Sequence, residues 1–137
     1  MLIKALEYTV LMVMKAKFVY IGIRVKELKK SVDFYSKLLG MRIKGHNRFE
    51  QTRGQTVELE SNDGGFTLEL NYYEEESPFN VEYVVGEGLD HLAFKVSDLD
   101  GALREAELAG YPTILQVKAH IRWAYIEDPN GIWIELY

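Results

Sequence analysis

The chain has 137 residues, of which 47% are hydrophobic and only three are proline, and its formal net charge is −5. This composition predicts a folded chain with a hydrophobic core rather than a disordered one. An acidic balance with no basic cluster argues against a nucleic-acid partner. The absence of cysteine excludes disulfides, thiolate metal sites and a cysteine nucleophile.

The N-terminal segment 1–17 contains one short apolar run, "YTVLMVM". The run follows the acidic Glu7 and has no small-residue cleavage site after it, which argues against a signal peptide. No apolar run in the sequence reaches the length needed to span a bilayer. We therefore expect residues 1–17 to be an extension or an extra strand, and the protein to be cytoplasmic with no membrane partner.

The next segment, 18–73, predicts the element order βαβββ. Residues 18–25 alternate between an apolar face and a face that carries Tyr20, Gly22 and Arg24. The segment "KELKKSVDFYSKLLGM" then has apolar residues at helical spacing, and Gly40 is placed to end the helix. Strands are predicted at about 41–46, 54–60 and 66–73.

The same order of elements follows an acidic linker at 74–87. "DHLAFKV" alternates, and a helix opens with Ser97 and Asp100 at capping-box spacing. Three strands are predicted near 113–118, 119–127 and 132–136. Because Tyr20 corresponds to His91 and Glu69 to Glu135, we interpret the chain as an internal repeat. Module one spans about 18–73 and module two 88–137, and together they form a single domain.

Two glutamates stand out because each lies between two aliphatic residues of a predicted strand, in "TLEL" and "WIELY". If each helix covers the apolar face of its own sheet, then Tyr20, Glu69, His91 and Glu135 all lie on the opposite face. Carboxylates there are costly unless they are paired, hydrated or bound to a cation. Two carboxylates and an imidazole suit a divalent first-row metal ion. We predict Glu69, His91 and Glu135 as metal ligands.

Further residues are predicted to contact a substrate. In "AHIRWAYIE" we expect Ile121, Trp123 and Tyr125 to pack on the helix side of the sheet, which turns the alternate residues toward the cavity. A cationic residue there can hold an anionic group, and an aromatic residue can form a wall. The predicted substrate-binding residues are Arg24, His120, Arg122 and Trp133.

The motifs "YIGIRVKELKKSVDFYSKLLGM", "FTLEL", "DHLAFKVSDL" and "EDPNGIWIEL" together resemble the vicinal oxygen chelate superfamily. Its members include glyoxalase I, extradiol dioxygenases and the fosfomycin- and bleomycin-resistance proteins, and the glyoxalase I-like members are the most similar. The resemblance implies an α+β fold, with two paired βαβββ modules forming curved mixed sheets around a central cavity. It also implies metal ligands at Glu69, His91 and Glu135. The fourth usual ligand position holds Tyr20, where glyoxalase I-like members have His or Gln.

The resemblance implies a metal-dependent lyase or isomerase of the lactoylglutathione lyase type, with Glu135 or Glu69 as the catalytic base. Such an enzyme binds Zn, Ni, Co, Mn or Fe and acts on a small hydroxycarbonyl substrate through an enediolate. One alternative is a metal-free protein that binds a small molecule, as bleomycin-resistance proteins do, and another is a fosfomycin-resistance-like transferase. A single histidine among the ligand positions argues against an extradiol dioxygenase. We expect a homodimer, because the edges of open sheets need cover.

Overall fold

The computed structural model describes residues 19–87, 89, 91–118 and 122–137. Its first half contains β1 (Ile21–Arg24), α1 (Leu28–Asp33), β2 (Arg42–Phe49), β3 (Gly54–Glu60) and β4 (Thr67–Tyr73). Its second half contains β5 (His91–Phe94), α2 (Leu99–Leu108), β6 (Leu115–Lys118), β7 (Arg122–Glu127) and β8 (Trp133–Leu136). The predicted segment 1–17 lies outside the described residues.

Each half forms a four-stranded mixed sheet with the same topology. The strand orders are β1-β4-β3-β2 and β5-β8-β7-β6. The pairs β1–β4 and β5–β8 are parallel, and the remaining pairs are antiparallel. The register is also equivalent, because Gly22 lies opposite Glu69 and Ala93 lies opposite Glu135. The predicted α+β fold with paired βαβββ modules is confirmed. No helix in the described part of the chain is long and apolar enough to cross a membrane.

Both helices pack on the apolar faces of the sheets and share one core. Its fully buried members from the sheets include Leu59, Leu70, Ile126, Ile134 and Leu136. Burial of one such side chain contributes about 1.5–3 kcal/mol. The opposite face of each sheet carries polar and aromatic residues, and we call it the polar face. This division agrees with the alternation predicted for β1, β4, β5 and β8.

The first helix departs from the plain α-helix that its spacing predicts. It continues beyond Asp33 as one π-helical turn over Phe34–Leu38, in which the Leu39 N–H donates to the Phe34 carbonyl at 3.2 Å. The turn buries two adjacent aromatic residues, Phe34 and Tyr35. Gly40 follows with a φ of +71°, so the predicted glycine stop is confirmed in a conformation that other residues rarely adopt.

The second helix begins one residue later than predicted. Asp98, not Ser97, is its N-cap, and its side chain accepts a hydrogen bond from the Gly101 N–H at 3.1 Å. The predicted capping box is therefore wrong. The backbone of Asp98 is extended, with φ −140° and ψ 101°, which is the conformation of an N-cap residue.

A buried polar network joins the two modules on the core side. The Asp128 carboxylate accepts from the Tyr35 hydroxyl at 3.0 Å, and the Asn130 amide nitrogen donates to Ser31 Oγ at 3.1 Å. The backbone N–H of Lys26 donates to Asn130 Oδ1 at 2.8 Å. Burial and then the charge of Asp128 raise the pKa of the Tyr35 phenol well above its ordinary value, so that it stays a donor. We call these five residues the module clasp.

Candidate functional site

On the polar face of module two, a histidine and a glutamate lie side by side. His91 begins β5 and Glu135 lies in the adjacent parallel strand β8. His91 Nε2 lies 3.2 Å from Glu135 Oε2, and the two side chains are 35% and 21% exposed. They are therefore sheltered by the sheet and still reachable by a ligand. An imidazole nitrogen and a carboxylate oxygen this close can coordinate the same metal ion.

A tyrosine that the sequence analysis did not assign to the site completes this group. The Tyr125 hydroxyl donates to Glu135 Oε2 at 2.9 Å, and the Tyr125 ring meets the His91 ring edge-on with centroids 5.8 Å apart. The Trp133 ring also contacts the Tyr125 ring, with centroids 5.2 Å apart. Trp133 thus lies next to this group, and its role as a wall of the site stays a prediction. We call His91, Tyr125 and Glu135 the module-two cluster.

The face predicted for β7 is wrong, which explains why Tyr125 was missed. Ala124 and Ile126 are fully buried in the core, so Trp123 and Tyr125 point to the polar face. The same reversal places Arg122 on the helix side, where it pairs with Asp100 of α2 at 2.7 Å. A useful signal was present in the sequence, because Tyr125 aligns with Glu135 once the turn 128–131 fixes the hairpin register. His120 lies outside the described residues.

On the polar face of module one, Tyr20 and Glu69 lie together beside Gly22. A Cβ atom at Gly22 would lie 3.9 Å from the Tyr20 ring and 4.0 Å from Glu69 Oε1. Glu58 of β3 is directly opposite Glu69 in the antiparallel ladder, at the position that Tyr125 occupies relative to Glu135. We call Tyr20, Glu58 and Glu69 the module-one cluster.

The Arg24 side chain is engaged with the acidic linker. Its Nη2 donates to Asn80 Oδ1 at 2.7 Å, and its guanidinium lies 5.7 Å from the centre of the Tyr83 ring. The Lys26 ammonium lies 4.9 Å from the same ring. Both cations therefore fasten the linker to the end of β1, and the predicted contact of Arg24 with a substrate stays a prediction.

A cleft of about 780 Å³ lies where the first strands of the two modules approach each other. Its lining includes Tyr20 and His91, one from each cluster, together with the exposed aromatic residues Phe66 and Tyr137. Neither Glu69 nor Glu135 belongs to this lining. The cleft is large enough for a small organic molecule.

The predicted ligands form two groups rather than one within a single chain. In the part of the chain that the structure describes, no three His, Asp or Glu side chains are close enough to hold one metal ion. His91 and Glu135 fit a divalent metal as a donor pair. Glu69 and Tyr20 form a separate pair on the other module.

Two βαβββ modules that each carry a glutamate among polar side chains on the polar face define a class of proteins in which the modules build a pocket for a small ligand. The family model described as the Glyoxalase/Bleomycin resistance protein/Dioxygenase superfamily matches residues 17–136. The chain belongs to this superfamily.

Two relatives have the same level of identity. A lactoylglutathione lyase of Pseudomonas aeruginosa is 31% identical over 136 residues, covering 83% of this chain and 77% of the relative. The uncharacterized protein YwbC of Bacillus subtilis is 31% identical over 125 residues, covering 85% of this chain and 92% of the relative.

Solved structures share the fold. The trypanothione-dependent glyoxalase I of Leishmania major superposes with a TM-score of 0.75 at 24% identity, covering 89% of this chain and 86% of that chain. The fosfomycin resistance protein FosX of Listeria monocytogenes superposes with a TM-score of 0.67 at 14% identity, covering 90% and 94% of the two chains. At these identities the likeness establishes the fold and not the reaction.

Proposed function

We propose that this protein is a metal-dependent lyase or isomerase that acts on a small hydroxycarbonyl compound. The observation that carries the proposal is the 3.2 Å approach of His91 Nε2 to Glu135 Oε2 on the polar face. The similarity to a lactoylglutathione lyase supports the same class of reaction.

His91 and Glu135 would hold the metal ion from module two, and Glu69 would supply the second carboxylate from module one. Oxygen and imidazole donors suit Zn, Ni, Co, Mn or Fe in the divalent state. When bound, such an ion polarises the neighbouring oxygens of a hydroxycarbonyl compound and stabilises negative charge on them. Tyr20 would hydrogen-bond at the fourth position or act there as a ligand.

The carboxylates of this chain would move the proton. Glu135 or Glu69 would take a proton from the carbon that bears the hydroxyl group, and the electron pair left behind would form the enediolate. The same carboxyl group would then return the proton to the adjacent carbon, while the hydroxyl proton passes to the former carbonyl oxygen. The carbonyl and the hydroxyl group thereby exchange places, so that the reaction is a net isomerisation. A carboxylate on a sheet face that is sheltered but not closed can serve as base and then as acid.

We further propose that the complete site forms across a homodimer. Module one of one copy would face module two of its partner, which brings Glu69 to His91 and Glu135. The support is that the described residues of one chain present only separate clusters, and that Tyr20 and Trp133 on the polar faces are 48% and 39% exposed. The proposal also includes a cytoplasmic location and a small-molecule substrate as the main partner.

Metal content and turnover test the proposal together. Protein purified without chelator or a metal-binding tag should contain about one divalent ion per chain, and Glu135→Gln should lower its metal affinity at least tenfold. Glu107→Gln, an equivalent change on the exposed face of α2, is the matched control and should bind metal like the wild type. The reaction is assayed on methylglyoxal–thiol adducts before and after chelation. Absence of turnover with every metal tried would remove the enzymatic proposal.

A second candidate function is metal-free binding of a small molecule. It is favoured by the cleft of about 780 Å³ and by the aromatic residues Tyr20, Phe66 and Tyr137 in its lining. On this hypothesis a hydrophobic ligand binds equally well with and without chelator, and Phe66→Ala weakens it while Glu135→Gln does not. Calorimetric titration with an aromatic dye compares the two variants directly.

A further inference from the structure

We infer that Tyr125 is a positioning residue that holds Glu135 in place for the metal ion. The inference rests on the proposed metal site and deepens it. It starts from the fact that Tyr125 and His91 converge on the same atom: both the phenol, at 2.9 Å, and the imidazole, at 3.2 Å, contact Glu135 Oε2.

The hydrogen bond from Tyr125 restricts the carboxylate of Glu135. A glutamate side chain has three rotatable bonds and, without a partner on a sheet surface, samples many rotamers. A phenol that donates to a carboxylate forms a charge-assisted bond and keeps one oxygen at a fixed place. Because His91 contacts that same oxygen, Tyr125 keeps the carboxylate beside the imidazole. Metal binding then requires less ordering of the ligand.

The surroundings of Tyr125 fix the phenol in turn. Tyr125 is paired directly with Glu135 in the β7–β8 ladder, and its ring contacts the rings of both His91 and Trp133. A ligand held by a residue whose own rotamer is locked by packing is the arrangement that gives precise metal geometry. Tyr125 therefore acts through Glu135 and need not touch the substrate.

The ladder position that corresponds to Tyr125 holds a different kind of residue in module one. The residue opposite Glu69 is Glu58, another carboxylate, which cannot donate a hydrogen bond when ionised. The two glutamates that the internal repeat makes equivalent are thus held differently. Loss of the Tyr125 hydroxyl should affect the contribution of Glu135 to metal binding and leave the contribution of Glu69 unchanged.

The test measures the dissociation constant of Co²⁺ for full-length protein by its visible absorption, with no substrate present. Tyr125→Phe should weaken Co²⁺ binding about tenfold or more and change the absorption bands of the bound ion. Tyr111→Phe removes the same hydroxyl from a ring that packs on Phe34 at the helix side and should leave both readouts unchanged. In a Glu135→Gln background, Tyr125→Phe should cause little further loss, because its effect passes through Glu135.

The outcomes separate this inference from the proposed function. Wild-type protein that binds no Co²⁺ refutes the metal site and with it the role of Tyr125. If folded Tyr125→Phe binds Co²⁺ as tightly as the wild type does, the role of Tyr125 alone is refuted. The same conclusion follows if Tyr125→Phe weakens Co²⁺ binding by the same factor in the wild-type and in the Glu135→Gln background. Should Tyr125→Phe fail to fold, wild-type protein carrying ¹³Cζ-tyrosine is titrated with Zn²⁺. The Tyr125 signal must then shift with saturation while the Tyr111 signal does not, and an unmoved Tyr125 signal overturns the inference.

Discussion

Asp128→Asn is expected to weaken the module clasp without changing the size of the side chain. Asp128 is 4% exposed, and its carboxylate accepts four hydrogen bonds. Oδ1 accepts from the backbone N–H groups of Asn130 and Ile132, each at 2.8 Å, and Oδ2 accepts from the Tyr35 hydroxyl at 3.0 Å and the Asn130 amide nitrogen at 2.8 Å. The substitution keeps the two hydrogen bonds that Oδ1 accepts, and it replaces the acceptor Oδ2 by an amide nitrogen, which is a donor.

The cost follows from which neighbours can adapt. The Tyr35 hydroxyl can rotate to accept a hydrogen bond. The Asn130 amide cannot turn over without loss, because its Oδ1 already accepts from the Lys26 N–H. One buried donor therefore faces another, which costs about 1–3 kcal/mol, and the remaining bonds lose their charge assistance. We expect the free energy of unfolding to fall by about 3 kcal/mol, which corresponds to a decrease in Tm of about 10 °C for a chain of this size.

Urea unfolding at a fixed protein concentration measures this change from the midpoint at constant m. Asp100→Asn is the matched control, because Asp100 is exposed and pairs with an exposed arginine, and it should leave the urea midpoint close to that of the wild type. A double-mutant cycle with Tyr35→Phe should give a coupling energy of about 1 kcal/mol. A loss below about 1 kcal/mol for Asp128→Asn would mean that the clasp does not stabilise the contact between the modules as described.

Three further predictions concern other levels of the structure. Because the folded-state pKa of Tyr35 is raised above its unfolded value near 10, its contribution to stability should be complete below about pH 10 and decline above it, and Tyr35→Phe should flatten that decline in pH-dependent urea unfolding. If the metal site spans a dimer, Glu69→Gln and Glu135→Gln chains refolded together should recover about a quarter of the wild-type metal content. Random pairing makes about half of the dimers mixed, and each mixed dimer has one intact site of two. A metal content no higher than that of the separate variants would place the site within one chain. Asp98→Ala should cost about 1 kcal/mol through loss of the α2 cap, and an unchanged urea midpoint would contradict that role.

The sequence by itself determined the repeat, the element order and the polar face of four strands. In β1, β4, β5 and β8, apolar residues alternate with a polar or charged residue, so the burial of one face leaves a single choice of orientation. Glu69, His91 and Glu135 were found on the polar faces for this reason. Gly40 was equally readable, because its left-handed conformation is a local requirement of the helix end.

Only the tertiary structure decided which face of β7 is buried and which partners the cationic side chains contact. Trp123, Ala124, Tyr125 and Ile126 are all apolar or aromatic, so alternation does not distinguish their faces. Their orientation depends on pairing with β8, through a turn that the module clasp fixes across a sequence separation of 93 residues between Tyr35 and Asp128. Arg24 and Arg122 found partners in the linker and in α2. Local sequence cannot specify such contacts, because they depend on how packed elements meet in space.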